Sequence, residues 1–246
     1  MSSEYFLDIA REIVKGVSRA SVLSFNPDVD IGAPETVWEQ GGIYTYLPDG
    51  IDTELFMSST SAADTNISLK IEGMTSDYLI NNVEVTFIGG QSQQTIGSFF
   101  RIFKITVISG GAAPVGDMYL AESGALTNGV PNTISEIKAK MIQGSNITQL
   151  GLFTVPANHT MYIVVIVTHI RKNKDAVISL IVKPEGFPDF IQTSQFPNFQ
   201  NSFQLPLDPP FAVKEKTDVE IRATTTTNQT EVSANIGYIL VNDLEA

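Results

Sequence analysis

The closing stretch TEVSANIGYILV (residues 230–241) places Val232, Ala234, Ile236, Tyr238 and Leu240 at every second position. That spacing puts five side chains on one face of an extended strand. The same period recurs in NISLKIEG (66–73), with Ile67, Leu69 and Ile71 on one side and Ser68, Lys70 and Glu72 on the other. It recurs in VEVTFIGG (83–90), through Val83, Val85 and Phe87, and in TDVEIRATTTT (217–227), where Val219, Ile221 and Ala223 read as inward and Asp218, Glu220 and Arg222 as outward. FFRIFKITVISGG (99–111) reads as one long strand ending in paired glycines. MYIVVIVTHI (161–170) is apolar on both faces, as a central strand is. AVISLIV (176–182) follows it after RKNKD, which reads as a turn, and the last two strands, separated by TTTNQ, read as a C-terminal hairpin. Gly, Pro, Asn and Asp clusters punctuate these runs.

So many strands with almost no helix predict an all-β chain, a jelly-roll-like β-sandwich or, alternatively, two sandwiches. The predicted helix is confined to SSEYFLDIAREIVKG, with Ser2 or Ser3 as cap, Phe6, Ile9, Ala10, Ile13 and Val14 at helical spacing, and Gly16 as the stop. Its rival reading is an extended arm. Residues 1–42 therefore read as an N-terminal anchor segment and linker, and residues 43–246 as the sandwich body, with an alternative division near 143–151. SQFPNFQNSFQLPLDPP (194–210) reads as a long crossing or an exposed edge, because proline is kept out of central strands.

Composition narrows the function. A formal charge of −12 disfavours nucleic acid and anionic membranes as partners. The absence of cysteine excludes disulfides, thiolate zinc sites and cysteine nucleophiles. Charged residues make up only 17%, so Ser, Thr, Asn and Gln must supply much of the polar surface. The N-terminus lacks the basic and apolar regions of a signal peptide, and the longest apolar run, Met161 to Val167, is too short for a membrane helix.

No chemistry-bearing constellation emerges. His159 lies in a turn before a strand and His169 at a strand end, and neither has a nucleophile motif beside it. In FNPDVDIGAPETVWEQGG (25–42), Asp28, Asp30, Glu35 and Glu39 offer carboxylates, but Gly32 and Ala33 break the EF-hand pattern, so a solvated turn is expected. The hydroxyls and Asp64 of SSTSAADT (58–65) read as side-chain-to-backbone bonding at a strand end. No catalytic, cofactor or metal residues are assigned.

The order of several motifs then points to a family. EYFLDIAREIV (4–14), FNPDVDIGAPETVWEQGGIYTY (25–46), MSSTSAADT (57–65) followed by a strand and IEGMTSDY (71–78), EVTFIGG (84–90), FTVPANHTMYI (153–163) and the closing KTDVEIRA and TEVSANIGYILVND together resemble a group of tailed-phage virion structural proteins. The arginine expected near residue 101 is present, whereas a glycine-rich segment after the Ser-Ser-Asp box is missing and residues 123–145 align poorly. The resemblance implies a non-enzymatic virion component, first of all a capsid decoration or head-fibre protein bound to the shell through its N-terminal segment. The alternatives are a tail or collar fibre-associated protein and a receptor- or carbohydrate-binding module. It implies the major capsid protein or other virion proteins as partners, a homo-oligomer with a trimer favoured, and a place on the particle surface. Phe6, Ile9, Ile13 and Val14 are the expected anchor. Trp38 and Tyr44 are expected to plug the base of the linker, and Phe196, Phe199 and Phe203 to fill an interface.

Overall fold

A computed structural model of the chain describes residues 3–11, 13–108, 112–122 and 124–245. The fold is all-β, built from antiparallel sheets, and among the described residues its α-helix is the short α1 (Ser3–Ala10). The chain divides into two units: unit 1 comprises residues 1–37 and 151–246, and unit 2 comprises residues 38–150. Unit 2 is thus inserted between two strands of unit 1.

Unit 1 is organised by β13 (His159–Pro184), a strand of 26 residues. Strands usually run about 3–10 residues. The sequence predicts a turn at Arg171–Asp175, but the chain runs through, and residues 171–174 are absorbed as a register irregularity between Ile170 and Asp175. Flanking strands force this outcome. β14 (Ile191–Val213) accompanies β13 on one side from Met161↔Val213 to Val182↔Ile191. On the other side lie β16 (Thr230–Asn242), paired with residues 159–170, and β15 (Thr217–Thr225), paired with residues 176–184.

β15 and β16 are therefore not the expected hairpin. Both run antiparallel to β13, so they point the same way and lie end to end along it. The link between them is tied down by its own hydroxyls: Thr225 Oγ1 donates to Asp175 O at 2.9 Å, and Thr230 Oγ1 donates to Thr227 O at 2.6 Å. Beyond β15 lie β12 (Leu152–Thr154) and β2 (Glu35–Thr36), and beyond β16 lies β1 (Val17–Val29). The rings of Phe153 on β12 and Tyr238 on β16 meet at 5.1 Å. The buried residues of this unit include Val22, Val155, Met161, Ile163, Ile178, Ile221 and Ile236.

The 1–42 segment is consequently not a lead-in. β1 pairs with β16 from Val17↔Val241 to Val29↔Thr230 and forms part of the sheet. Gly16, at φ +70°, turns the chain from the helical segment into β1. Period two is concealed in β1 because its inward face carries Ser24 and Asn26 as well as Val22. Ser24 Oγ donates to Ala234 O and accepts from Ala234 N, while Asn26 Nδ2 donates to Thr36 O at 3.1 Å, so both polar groups are satisfied inside.

Unit 2 contains a four-stranded sheet in the order β11-β8-β3-β6, built from β3 (Thr53–Ser59), β6 (Gln94–Phe99), β8 (Met118–Ala121) and β11 (Ile137–Met141). A three-stranded sheet, β5-β4-β7, is built from β4 (Ile67–Met74), β5 (Ile80–Phe87) and β7 (Arg101–Val107). β9 (Leu126–Thr127) and β10 (Val130–Pro131) form a small ribbon. The long strand expected over 99–111 is β7 alone, with Phe99 closing β6 in the other sheet and residues 109–111 outside the described residues. Ile67, Leu69 and Ile71 are buried as their alternation predicts.

Side chains stitch the two sheets together at β5 and β6. Gln94 accepts from Ile88 N at 2.7 Å and donates to Thr86 O at 2.9 Å. Replacing Gln94 by alanine is expected to lower stability by about 1 kcal/mol. It should also speed exchange of the Ile88 amide in a hydrogen-exchange measurement, with little change in amides of β8.

Candidate functional site

The residues expected to form an anchor and an interface take different places. Ile9 is 2% exposed and Val14 half-buried, while Leu7 and Ile13 are 50% and 66% exposed. Among the described side chains, α1 buries Ile9, while Leu7 and, just after the helix, Ile13 face outward. The side chains of Phe6 and Phe199 lie outside the described residues.

Trp38 and Tyr44 are 1% and 5% exposed, inside unit 2. Their rings meet edge to face at 4.9 Å, and Tyr44 meets Tyr46 in the same way at 4.9 Å. Such T-shaped pairs align a ring edge with the neighbour's electron-rich face. Trp38 Nε1 donates to Gly42 O at 3.2 Å and Tyr44 Oη donates to Lys138 O at 3.2 Å. Both aromatics hold the 38–46 segment in the core and present no surface to a partner.

Beside them lie charged residues that periodicity did not single out. Arg101 Nη2 donates to Asp49 Oδ1 at 2.7 Å and Nη1 to Leu47 O at 3.1 Å, with the guanidinium 3.8 Å from the Phe100 ring centroid. Lys138 is fully buried, and its Nζ donates to Thr45 O at 3.0 Å and Ser135 O at 2.7 Å while pairing with Glu122 at 2.9 Å. These bonds fix the loop over 45–49 rather than expose charge to a ligand.

Two acids of the 28–39 stretch, Asp30 and Glu35, are likewise engaged. Asp30 Oδ1 accepts from Gln229 N at 3.2 Å, and Glu35 accepts from Asp30 N at 2.8 Å and from Asn26 Nδ2 at 3.1 Å. They brace the bulged end of β1 against the link before β16. In β15, Asp218 and Glu220 are buried rather than outward: Thr154 Oγ1 donates to Asp218 at 2.6 Å, and Thr36 Oγ1 and Arg222 Nε donate to Glu220 at 2.6 and 2.7 Å. His159 Nδ1 lies 2.8 Å from Ala157 O, and His169 Nδ1 lies 3.0 Å from Ser202 Oγ. Among the described residues, no three His, Asp or Glu side chains are grouped to hold a metal.

Large apolar side chains face outward in both units, among them Ile51, Leu79, Ile88 and Ile134 in unit 2, and in unit 1 several lie at or beside one edge. Among the described residues β14 pairs with β13 alone, which places it at an edge of the sheet. Phe203 is 37% and Ile191 45% exposed, and Phe187, in the turn before β14, is 51% exposed; Phe196 is half-buried. Pro197, Pro206, Pro209 and Pro210 lie in the strand and have no N–H to donate. Such an edge resists addition of another strand through backbone bonds and offers apolar side chains instead.

No protein-family model matches the chain, and no curated protein matches it. Among solved structures, it is similar to infectious bursal disease virus, Gx strain, at 8% identity over 93% of this chain and 74% of that chain, with a TM-score of 0.26. It is similar also to the crystal structure of the infectious bursal disease virus VP2 subviral particle, at 8% identity over 98% of this chain and 78% of that chain, with a TM-score of 0.25. Scores of this size do not establish a shared fold.

Proposed function

We propose that this chain is a non-enzymatic structural component of a virus particle. In the finer reading it is a capsid decoration or head-fibre protein of a tailed phage, bound to the major capsid protein or another virion protein through its N-terminal segment. One observation carries the reading: Asp30, Glu35, Asp64, Asp218 and Glu220 are engaged in internal bonds, whereas apolar side chains are left outward on α1, just after it, and on the proline-interrupted edge β14. This distribution suits binding rather than turnover. The ordered motif resemblance to tailed-phage virion proteins supplies the particle context. A jelly-roll-like sandwich in unit 1 is part of the proposal, supported by the meeting of Phe153 and Tyr238 across the sheet. A closed ring of identical chains, with a trimer favoured, fits a symmetric shell.

The test adds purified protein to particles that lack it and images them by cryo-electron microscopy. Removing residues 1–33 would strip β1 from its sheet, so the comparison uses the double substitution Leu7→Asp and Ile13→Asp at exposed positions. Symmetric density on the shell is expected with the unsubstituted chain, and at least tenfold lower occupancy with the variant. Density on tails, or binding to host cells without shell density, would replace this reading with that of a fibre-associated or receptor-binding module acting through Phe187 and Phe203.

A further inference from the structure

The chain passes into unit 2 at Val37/Trp38 and out of it at Leu150/Gly151. Within unit 2 a side chain of the incoming segment bonds the outgoing one. Glu39 is 1% exposed, and its Oε2 accepts the backbone N–H of Gln149 at 3.0 Å. No donor among the described residues reaches its Oε1. On the unit 1 side the same two segments are held tightly. Gly151 N donates to Leu23 O at 2.9 Å and Val37 N to Ile221 O at 2.9 Å, and a Cβ at Gly151, whose φ is +67°, would lie 2.5 Å from Val37 O.

We propose that Glu39 is a proton-controlled clasp: neutral, it closes the 38–40 segment on the 148–150 segment, and ionised, it opens this neck of unit 2 to water. The proposal does not depend on the virion reading. It rests first on geometry, because a carboxylate here would carry its charge in a buried site with one hydrogen bond.

The surrounding groups do not supply a dedicated counter-charge. Lys140 on β11 and Asp117 just before β8 face Glu39. They pair with each other at 3.2 Å, so the cation is shared with a second carboxylate. Asp117 Oδ1 also accepts from Gln143 N at 2.8 Å, and Lys140 Nζ lies 5.6 Å from the ring centroid of Tyr119. The incoming turn and the 148–150 segment contribute no titratable side chain besides Glu39 itself. Burial is the main influence and pushes the Glu39 carboxyl up to about 8, against the lowering effects of the Gln149 N–H and Lys140, with Asp117 adding to the rise.

Trp38, the only tryptophan in the chain, precedes Glu39 and reports on the neck directly. Its emission would be followed between about pH 6 and pH 9.5 in the whole protein and in Glu39→Gln, which keeps an acceptor for Gln149 but cannot ionise. Tyr119 stays neutral over this range, because burial raises its phenol above its ordinary value. The expected result is a reversible red-shift in the unsubstituted protein with a midpoint near pH 8, absent in Glu39→Gln. Exchange of the Gln149 amide, corrected for base catalysis, should lose at least tenfold protection across the same step. An identical step in both proteins overturns the proposal. So does flat Gln149 protection in the unsubstituted protein, a measurement that needs no variant to fold.

Discussion

Replacing Asp64 by alanine is expected to cost unit 2 about 3–5 kcal/mol, one of the largest losses available to a single substitution in this chain. Asp64 is 1% exposed. Its Oδ2 accepts from Ser59 Oγ at 2.5 Å and from Gly116 N at 2.9 Å, and its Oδ1 accepts from Val115 N at 2.7 Å. One carboxylate thus joins the end of β3, its own loop and the turn leading to β8. The neighbouring hydroxyls extend the network: Ser59 Oγ accepts from Ser61 N at 3.0 Å and Thr60 Oγ1 from Asp117 N at 2.9 Å. Alanine would leave the Gly116 N–H and the Ser59 hydroxyl inside the protein without their acceptor, at about 1–3 kcal/mol each. It would also release the geometry that positions both turns. Asp64→Asn should lose roughly half as much, since one oxygen acceptor survives. Denaturant unfolding, with amide exchange in β3 and β8 to assign the loss to unit 2, provides the measurement. A change below about 1 kcal/mol for Asp64→Ala would show that the turns hold without the carboxylate.

The Asp64 network also shows what kind of feature can be read from a sequence. Serines and an aspartate clustered at a strand end announce local side-chain-to-backbone bonding, and the partners within the box are only a few residues apart. The long-range partners, Val115 and Gly116, carry no mark in the sequence. Alternation behaved in the same way. In β4 the period-two pattern of Ile67, Leu69 and Ile71 was legible because only one face is fully covered. In β15 it misled, because β12 and β2 supply Thr154 and Thr36 to Asp218 and Glu220, and a charged residue with such donors can be buried.

Strand existence was more legible than strand pairing. The runs that became β15 and β16 were both visible, and the short link between them fits a hairpin loop. Their common partner β13 instead takes both along one side, which no local pattern records. β1 is not legible as a strand because Ser24 and Asn26 stand in place of apolar residues on its inward face. At the candidate surface, the prolines of β14 correctly marked an edge, because their missing N–H is a property of the residue itself. Trp38 and Tyr44 stood out as large aromatics in a loop-like segment, but aromatic size alone does not distinguish a core plug from a binding surface. Lys138 was hidden for the opposite reason: its carbonyl acceptors Thr45 and Ser135 come from backbone, which every residue possesses.

The largest pH-dependent effect is expected at Glu39. Its folded-state value of about 8 stands above the ordinary 4.5. Between these limits the unfolded chain has already released the proton that the native state retains. Raising pH therefore favours unfolding: the stabilisation associated with this group is complete below pH 4.5 and is lost as pH rises through about 8. At about 1.4 kcal/mol per pH unit the full swing approaches 5 kcal/mol, and entry of water into the opened neck would recover part of it. Glu39→Gln cannot ionise and should lack this slope. Compared with the unsubstituted protein, the variant should gain little near pH 5 and several kcal/mol near pH 9, the difference growing steadily between. Urea unfolding of both proteins across this range measures that difference. Parallel stability curves would mean that Glu39 finds a counter-charge on ionising and that its burial carries no proton linkage. A divergence that opens above pH 4.5 and levels off beyond about pH 8 would instead tie the stability of the inserted unit to one proton at its neck, a constraint that follows from placing a buried carboxyl between two chain segments.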